Sequence, residues 1–254
     1  MTAPVHIGQF GSILVVTIDR PRARNAIDTA TAQAIADAME VLDQSDDLVL
    51  GIITGAGGTF CAGMDLKAFL AGERPSIGTR GFAGLVEQPP RKPLVAAVEG
   101  YALAGGFEIV LACDLVVAAE NATFGLPEVK RGLVAAGGGL MRLAGRIPYH
   151  LAMEWALSGA LVPAMRAHEV GLVNRLTPPG GAVEGALDLG RAIAANGPLA
   201  VRATKQVIIS SRDWTSAEQF VRQREITEPV RSSEDAREGA RAFAEKRAPV
   251  WRGV

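Results

Sequence analysis

Two periods of hydrophobic and polar positions alternate along the first half of the chain. Ile13 to Ile18 is an apolar, β-branched run closed by Asp19-Arg20-Pro21, the pattern of a strand ending in a turn. Apolar residues then recur at helical spacing (Ile35, Met39, Leu42), which predicts a helix from Thr29 to Gln44, capped by Asp28 or Thr29. Leu48 to Thr54, Leu94 to Val98 and Leu115 to Ala119 are short continuous apolar runs, the pattern of strands buried on both faces. Between the last two, Leu103 to Cys113 reads as a helix opened by Ala104-Gly105-Gly106. Strand, glycine-rich turn and helix in alternation predict an α/β layered fold.

From residue 148 onward the pattern turns helical. Helices are expected over Pro148–Ser158, Pro163–Val170, Ala182–Asn196, Pro198–Ser210, Ser216–Ile226 and Ser232–Lys246, with one strand at Leu172–Leu176 between them. The last of these starts on Ser232-Ser233-Glu234-Asp235, which resembles a capping box, and carries an apolar stripe at Ala236, Ala240, Phe243 and Ala244. Such a tail on an α/β core is either a lid or an oligomer contact. No low-complexity linker or strict repeat divides the chain.

Composition narrows the chemistry. With 254 residues and 48% hydrophobic content, the chain is long enough to bury a large core unaided. Its 2 Cys and 3 His cannot build a disulfide framework or a Cys- or His-rich metal site, so no metal is expected and acid–base work falls to carboxylates. A net charge of −1 gives no overall reason to bind nucleic acid. The uncharged stretch Leu48 to Met64 is broken by five glycines and is a poor membrane span. The N-terminal residues lack the basic and apolar regions of a signal peptide, so a cytoplasmic setting is expected.

Four places carry candidate chemistry. Gly55 to Leu66 is a small-residue loop after a strand. It lacks the third glycine of a dinucleotide fingerprint and the Gly-Lys-Ser/Thr of a phosphate loop, so it is either a plain turn or a set of N–H donors near a helix start at Asp65. Gly100 to Glu108 repeats the device. Two such turns can aim two N–H groups at one oxygen, or else glycine merely permits close helix–strand packing. Glu108 sits among Phe107, Ile109, Val110, Leu111 and Ala112 on a helix apolar all round, so its carboxyl is buried; it is either paired with an Arg or put to use. Glu128, after Pro127, is by itself an ordinary way to open a helix and matters through its nearness to Glu108. Gly137-Gly138-Gly139, between Arg131 and Arg142, reads either as an anion loop or as a flexible wall. Cys61 and the three tryptophans read as packing residues.

Taken together these segments resemble the crotonase superfamily, the enoyl-CoA hydratase/isomerase family. The matching stretches run from Arg24-Asn25-Ala26-Ile27 through Phe60-Cys61-Ala62-Gly63-Met64-Asp65-Leu66 and Lys92 to Glu108. They continue through Phe124-Gly125-Leu126-Pro127-Glu128 and Gly171-Leu172-Val173-Asn174-Arg175 to Phe243-Ala244-Glu245-Lys246-Arg247. The resemblance implies a spiral of ββα units, here residues 1–195, with a C-terminal helical trimerisation region, residues 196–254, that also closes the CoA pocket. It implies a homotrimer or a homohexamer built as a dimer of trimers, an acyl-CoA thioester substrate and no cofactor beyond the coenzyme A carried by that substrate. Met64 and Gly105 would supply the oxyanion-hole amides, with Glu108 orienting water and Glu128 transferring a proton at Cα. Arg24, Ala26, Ala62, Gly63, Asp65, Leu66 and Lys67 would line the CoA path. Arg22 and, from a neighbouring subunit, Lys246 are further phosphate contacts that the resemblance suggests.

Both glutamates point to hydration of a 2-trans-enoyl-CoA. An isomerase, a dehydratase acting on a carnitinyl or sterol-side-chain ester, and a non-catalytic acyl-CoA-binding relative are the alternatives. The chain departs from the usual hydratase pattern at Val134–Leu140, and Ala104 stands where glycine is common. Leu70 to Gln88 is expected to be a mobile wall setting acyl preference.

Overall fold

The computed structural model describes residues 3–254; Met1 and Thr2, the start of the N-terminal stretch read for an export signal, lie outside the described residues. Strands β1 (Val5–Phe10) and β2 (Ile13–Ile18) form an antiparallel hairpin. Helix α1 (Thr29–Gln44) follows, its first turn held by the Asp28 carboxylate, which accepts from the Thr31 amide at 2.8 Å. Next come β3 (Leu50–Gly55), the short α2 (Leu66–Leu70) and a small hairpin of β4 (Ser76–Ile77) and β5 (Gly81–Phe82).

Two similar units then succeed each other. In the first, β6 (Leu94–Val98) turns into β7 (Tyr101–Leu103) and then α3 (Gly105–Ala112). In the second, β8 (Leu115–Ala119) turns into β9 (Thr123–Gly125) and a short 3-10 turn, Pro127–Arg131. The chain continues through α4 (Gly139–Ala144), α5 (Tyr149–Ser158), β10 (Val162–Pro163), α6 (Ala164–Glu169) and β11 (Arg175–Thr177). Four helices finish it: α7 (Ala182–Ala194), α8 (Pro198–Ser210), α9 (Gln219–Arg231) and α10 (Glu234–Glu245).

The main sheet has the order β1-β2-β3-β6-β8-β11, parallel from β2 onward, and a second sheet has the order β10-β9-β7. Each of the two units β6-β7 and β8-β9 thus gives its first strand to one sheet and its second to the other, which is the spiral expected of a crotonase-like α/β fold. Alternate residues of the main sheet feed two cores. Ile13, Val15, Ile52, Val95 and Val117 pack under Ala182, Ala186 and Leu187 of α7. Leu14, Val16, Ile53, Ala96 and Val116 join Ile35 and Met39 of α1 and Phe107, Ile109, Val110, Leu111 and Ala112 of α3. Burial on both faces explains why these strands are continuous apolar runs.

The departures from expectation are local. The predicted helix Leu103–Cys113 begins only at Gly105, because Tyr101 to Leu103 pair with Thr123 to Gly125 as a strand. The predicted strand Leu172–Leu176 is shifted to Arg175–Thr177: Leu172 and Val173 are buried in the core, and their amides bond back to the Ala167 carbonyl. The predicted helix Ser216–Ile226 starts later and runs on to Arg231, carrying Pro229 inside it.

The supposed mobile wall is also corrected in its second half. Ala83, Leu85 and Val86 are fully buried, and Gly84 lies so close to α1 that a Cβ there would stand 2.5 Å from the Ala32 carbonyl oxygen. Among the described residues no helix is long and apolar enough to cross a membrane.

Candidate active site

Three chain segments run side by side where the sheets meet. Ile27 pairs with Met64, and Cys61 pairs with Ala102, as single parallel bridges. The Met64 turn is held from below: the Ile27 amide donates to the Gly63 carbonyl at 2.8 Å, and the Asp65 amide donates to the Ile27 carbonyl at 2.9 Å. Asn25, fully buried and left-handed at φ 55°, donates its side-chain amide to the carbonyls of Ala56 (2.9 Å) and Thr59 (2.6 Å), tying the glycine loop to the strand end.

The two glycine-rich turns therefore touch. A Cβ on Gly63 would stand 3.1 Å from the Gly105 nitrogen and 3.0 Å from the Ala104 Cβ; one on Gly106 would stand 2.1 Å from the Cys61 carbonyl oxygen. Gly63 also has φ +98°, a conformation that disfavours other residues. The close packing that glycine permits is thus observed, and it brings the Gly63 and Gly105 backbones together. Among the described residues, neither the Met64 amide nor the Gly105 amide donates to a protein acceptor, so both remain available beside each other. The Gly105 amide also opens α3, where helix geometry leaves N–H groups unpaired and partly positive.

Glu108 lies one turn further along α3, 5% exposed. Its Oε1 accepts from the amides of Gly137 (2.7 Å) and Gly139 (3.0 Å). A Cβ on Gly137 would stand 2.8 Å from Glu108 Oε2, and one on Gly139 would stand 2.8 Å from Glu108 Cγ. The triple glycine is thus a carboxyl-binding loop, and the group it holds is this side chain. No arginine forms an ion pair with Glu108 among the described residues. Arg142 instead donates to the carbonyls of Gly137 (3.3 Å) and Val86. Burial pushes the Glu108 carboxyl above the ordinary carboxylate range, and the Gly139 and Gly137 amides and the Arg142 charge offset part of that rise.

Glu128, at the start of the 3-10 turn, is half-buried, and its Oε2 is buried with no hydrogen-bond partner. Burial raises its pKa and the charge of Glu108 raises it further, while a bond from its own backbone amide and the charge of Arg131 act the other way. Two carboxyl groups that sense each other, with Glu108 one helical turn from the free Gly105 amide, are an arrangement suited to moving protons near an oxygen that gathers negative charge.

The remaining sequence candidates frame this centre. Arg24 is exposed, left-handed at φ 53°, and its carbonyl accepts from the Ala62 amide at 3.0 Å. Ala26 is buried beneath. Leu66 and Lys67 are exposed on α2, and Arg22 is also at the surface. Asp65 is occupied on both oxygens: Oδ1 caps α2 through the Lys67 amide (3.0 Å) and the Ala68 amide (3.3 Å), and Oδ2 pairs with Arg20 at 3.0 Å. Its role is to hold the turn rather than to present a free carboxylate. Lys246 ends α10 in a left-handed cap and is exposed. Among the described residues no group of three His, Cys, Asp or Glu side chains is placed to hold a metal ion.

Sequence reasoning missed Arg20 and the part played by Gly137 and Gly139. The glycine run was visible as an anion loop, but the partner it clasps lies about one ββα unit earlier in the chain.

Comparison with known proteins gives a consistent result. The family model described as enoyl-CoA hydratase/isomerase matches residues 8–254. The enoyl-CoA hydratase EchA19 of Mycobacterium tuberculosis is 44% identical over 248 residues, covering 94% of this chain and 92% of that protein. A carnitinyl-CoA dehydratase of Salmonella typhi is 41% identical over 261 aligned positions and 100% of both chains. The crystal structure of enoyl-CoA hydratase EchA1 from Mycobacterium marinum superposes with a TM-score of 0.98 at 55% identity, over 100% of both chains.

Proposed function

The chain belongs to the enoyl-CoA hydratase/isomerase family, and on that basis we propose that it adds water reversibly, and syn, to a 2-trans-enoyl-CoA to give the 3-hydroxyacyl-CoA. The observation that carries this reading is the asymmetric carboxyl pair beside two free amides. One oxygen of Glu108 is clasped by two N–H donors, which favour its charged form. One oxygen of Glu128 is buried without a partner, which favours its protonated form.

The mechanism follows from that asymmetry. The thioester oxygen lies against the Met64 and Gly105 amides. Glu108 holds a water and takes one of its protons as the oxygen attacks Cβ. Negative charge gathers on the thioester oxygen, where the preorganised amides stabilise it. Glu128 delivers a proton to Cα, and the proton left on Glu108 restores the pair. The C=C π bond and one O–H bond of water break, and one C–O and one C–H bond form. No net oxidation occurs, so the scheme needs no redox cofactor.

Arg24, Ala26, Ala62, Gly63, Leu66 and Lys67 are proposed to line the CoA path, with Asp65 holding its turn and Arg22 and Lys246 near the phosphates. The C-terminal helices are proposed to assemble a homotrimer or a dimer of trimers in the cytoplasm. The test is turnover of crotonyl-CoA followed by loss of the enoyl absorbance. Tight acyl-CoA binding with no hydration of any enoyl ester would overturn the assignment. A second reading, dehydration of an ester with a polar acyl chain, is favoured by full-length similarity to proteins described as carnitinyl-CoA dehydratases, 41% identical. Including carnitinyl-CoA in the substrate panel separates the two.

A further inference from the structure

Phe82 ends β5 at the open end of the β4–β5 hairpin, where it pairs with Ser76, and its ring lies against the first residue of α3. A Cβ built on Gly105 would stand 2.5 Å from Phe82 Cε1 and 2.6 Å from Cζ. The ring thus packs on the bare Cα of the residue whose amide is one of the two free donors. In an α-helix the Cα–Cβ direction leans toward the N-terminus, the same end to which the first amides open. The ring therefore flanks the point where the Gly105 N–H is presented. Glu108 lies one turn further along the same helix, so on the proposed acyl-CoA reading the reacting carbons of the thioester would lie between Gly105 and Glu108, alongside Phe82.

The ring is also held in place. Gly81, Ala83 and Gly84 have φ of +67°, +55° and +66°, so the backbone on both sides of Phe82 is in an uncommon, tightly specified path. Ala83, Leu85 and Val86 are fully buried, and the Ala83 amide donates to the Pro75 carbonyl at 2.9 Å. Arg142 ties the end of this segment, at the Val86 carbonyl, to the Gly137 carbonyl of the loop that holds Glu108. Phe82 itself keeps part of its surface exposed. It is a fixed aromatic wall with one open side.

We propose that Phe82 is a specificity-determining residue: its ring closes the acyl channel beside the thioester carbonyl and selects straight acyl chains over chains branched at Cα. This rests on the acyl-CoA reading of the site. A substituent on Cα points sideways from the chain and meets the ring, whereas a linear chain passes it. One misplaced methyl group in a close apolar channel costs about 10- to 200-fold in selectivity.

The experiment is calorimetric binding of butyryl-CoA and isobutyryl-CoA, two esters of the same atomic composition that differ only in branching at Cα. The wild-type protein is expected to bind butyryl-CoA about tenfold more tightly. Phe82→Ala should bring the ratio to within about twofold, chiefly by tightening isobutyryl-CoA, and Phe82→Leu should fall between. Phe82→Leu decides the matter if the alanine variant does not fold. A wild-type ratio near one, or variants that weaken both esters by the same factor, overturns the proposal and leaves the hydratase reading intact. If the wild-type protein binds neither ester, the acyl-CoA reading fails and this inference falls with it.

Discussion

Glu128 faces a conflict that a side-chain replacement can expose. A carboxyl whose pKa is raised by folding holds its proton more tightly in the native protein than in the unfolded chain. Its stabilising contribution is complete below the ordinary carboxylate range and is lost as pH rises through the raised folded value. Glu128→Gln removes the cost of charging that buried oxygen. It should therefore raise the melting temperature at about pH 8 and change it little near pH 4.5. The same variant should lose about a thousandfold or more in turnover while still binding acyl-CoA. Wild-type-like hydration rates would remove Glu128 from the mechanism. In the wild-type protein, activity should be bell-shaped in pH, with both limbs above the ordinary carboxylate range because both groups are shifted upward. The two apparent values belong to the pair rather than to either residue. Ala104 is a second strained residue, at φ 52° and ψ −128°, a backbone region that glycine occupies freely. Ala104→Gly should relieve about 1–2 kcal/mol of strain, offset by about 0.4–1 kcal/mol of added freedom in the unfolded chain. The expected net result is a slightly higher urea midpoint. A clear fall in the midpoint would show that the alanine is not strained in solution.

The helices that bracket the site depend on one arginine. Arg20 pairs with Asp28 at 2.8 Å and Asp65 at 3.0 Å, the N-caps of α1 and α2, and also donates to the Ala26 carbonyl. Through Asp65 it fixes the turn next to Met64, and the bonds of Asp65 to Arg20 and to the Ala68 amide hold that carboxyl below its usual range despite burial. Arg20→Ala should lower kcat/KM about tenfold or more by displacing the Met64 amide, and should cost about 1–2 kcal/mol of stability once solvent screening is allowed for. Arg20→Lys should rescue only part of both, because one ammonium cannot reproduce a planar fork that serves two carboxylates and a carbonyl. Unchanged kinetics in Arg20→Ala would detach this arginine from the site. Arg20 was not legible in the sequence, because its partners stand 8 and 45 positions away and a turn sequence is explanation enough for an Arg-Pro pair. The longer elements were legible. Strand β2 and helix α1 keep a single period for six and sixteen residues, which periodicity can resolve. Strands β7 and β9 are three residues each and owe their conformation to each other, so Tyr101 and Ala102 read as part of a turn and Leu103 as the start of a helix instead. Glu108 stood out as a carboxyl in an apolar run. Which group would hold it did not, since that depends on how the chain returns through Gly137 to Gly139.

Across the whole molecule, apolar side chains remain uncovered on two sides. Met141 (79% exposed), Tyr149 (62%) and Leu157 (68%) stand out from α4 and α5, and Phe220 (63%) and Phe243 (87%) stand out from α9 and α10. Scattered exposed hydrophobics are ordinary on any surface, but large ones grouped on neighbouring helices mark interaction faces. Phe243 belongs to the apolar stripe of α10, whose Ala242 is buried against the rest of the chain while the phenyl ring points away from it. A closed ring of identical subunits covers such faces without leaving an open end. If the proposed trimer or dimer of trimers forms, light scattering at micromolar concentration should give three or six times the 26.6 kDa mass of one chain. Met141→Asp and Phe243→Ser, each placing a polar group in a surface that assembly would dehydrate, should shift the mass toward a single chain. They should also make the melting temperature depend on protein concentration, as expected when association and stability are linked. A wild-type mass of one chain would show that these faces stay solvated, and that the site described here works within one subunit. A multiple of three that neither variant disturbs would place the contact on other surfaces.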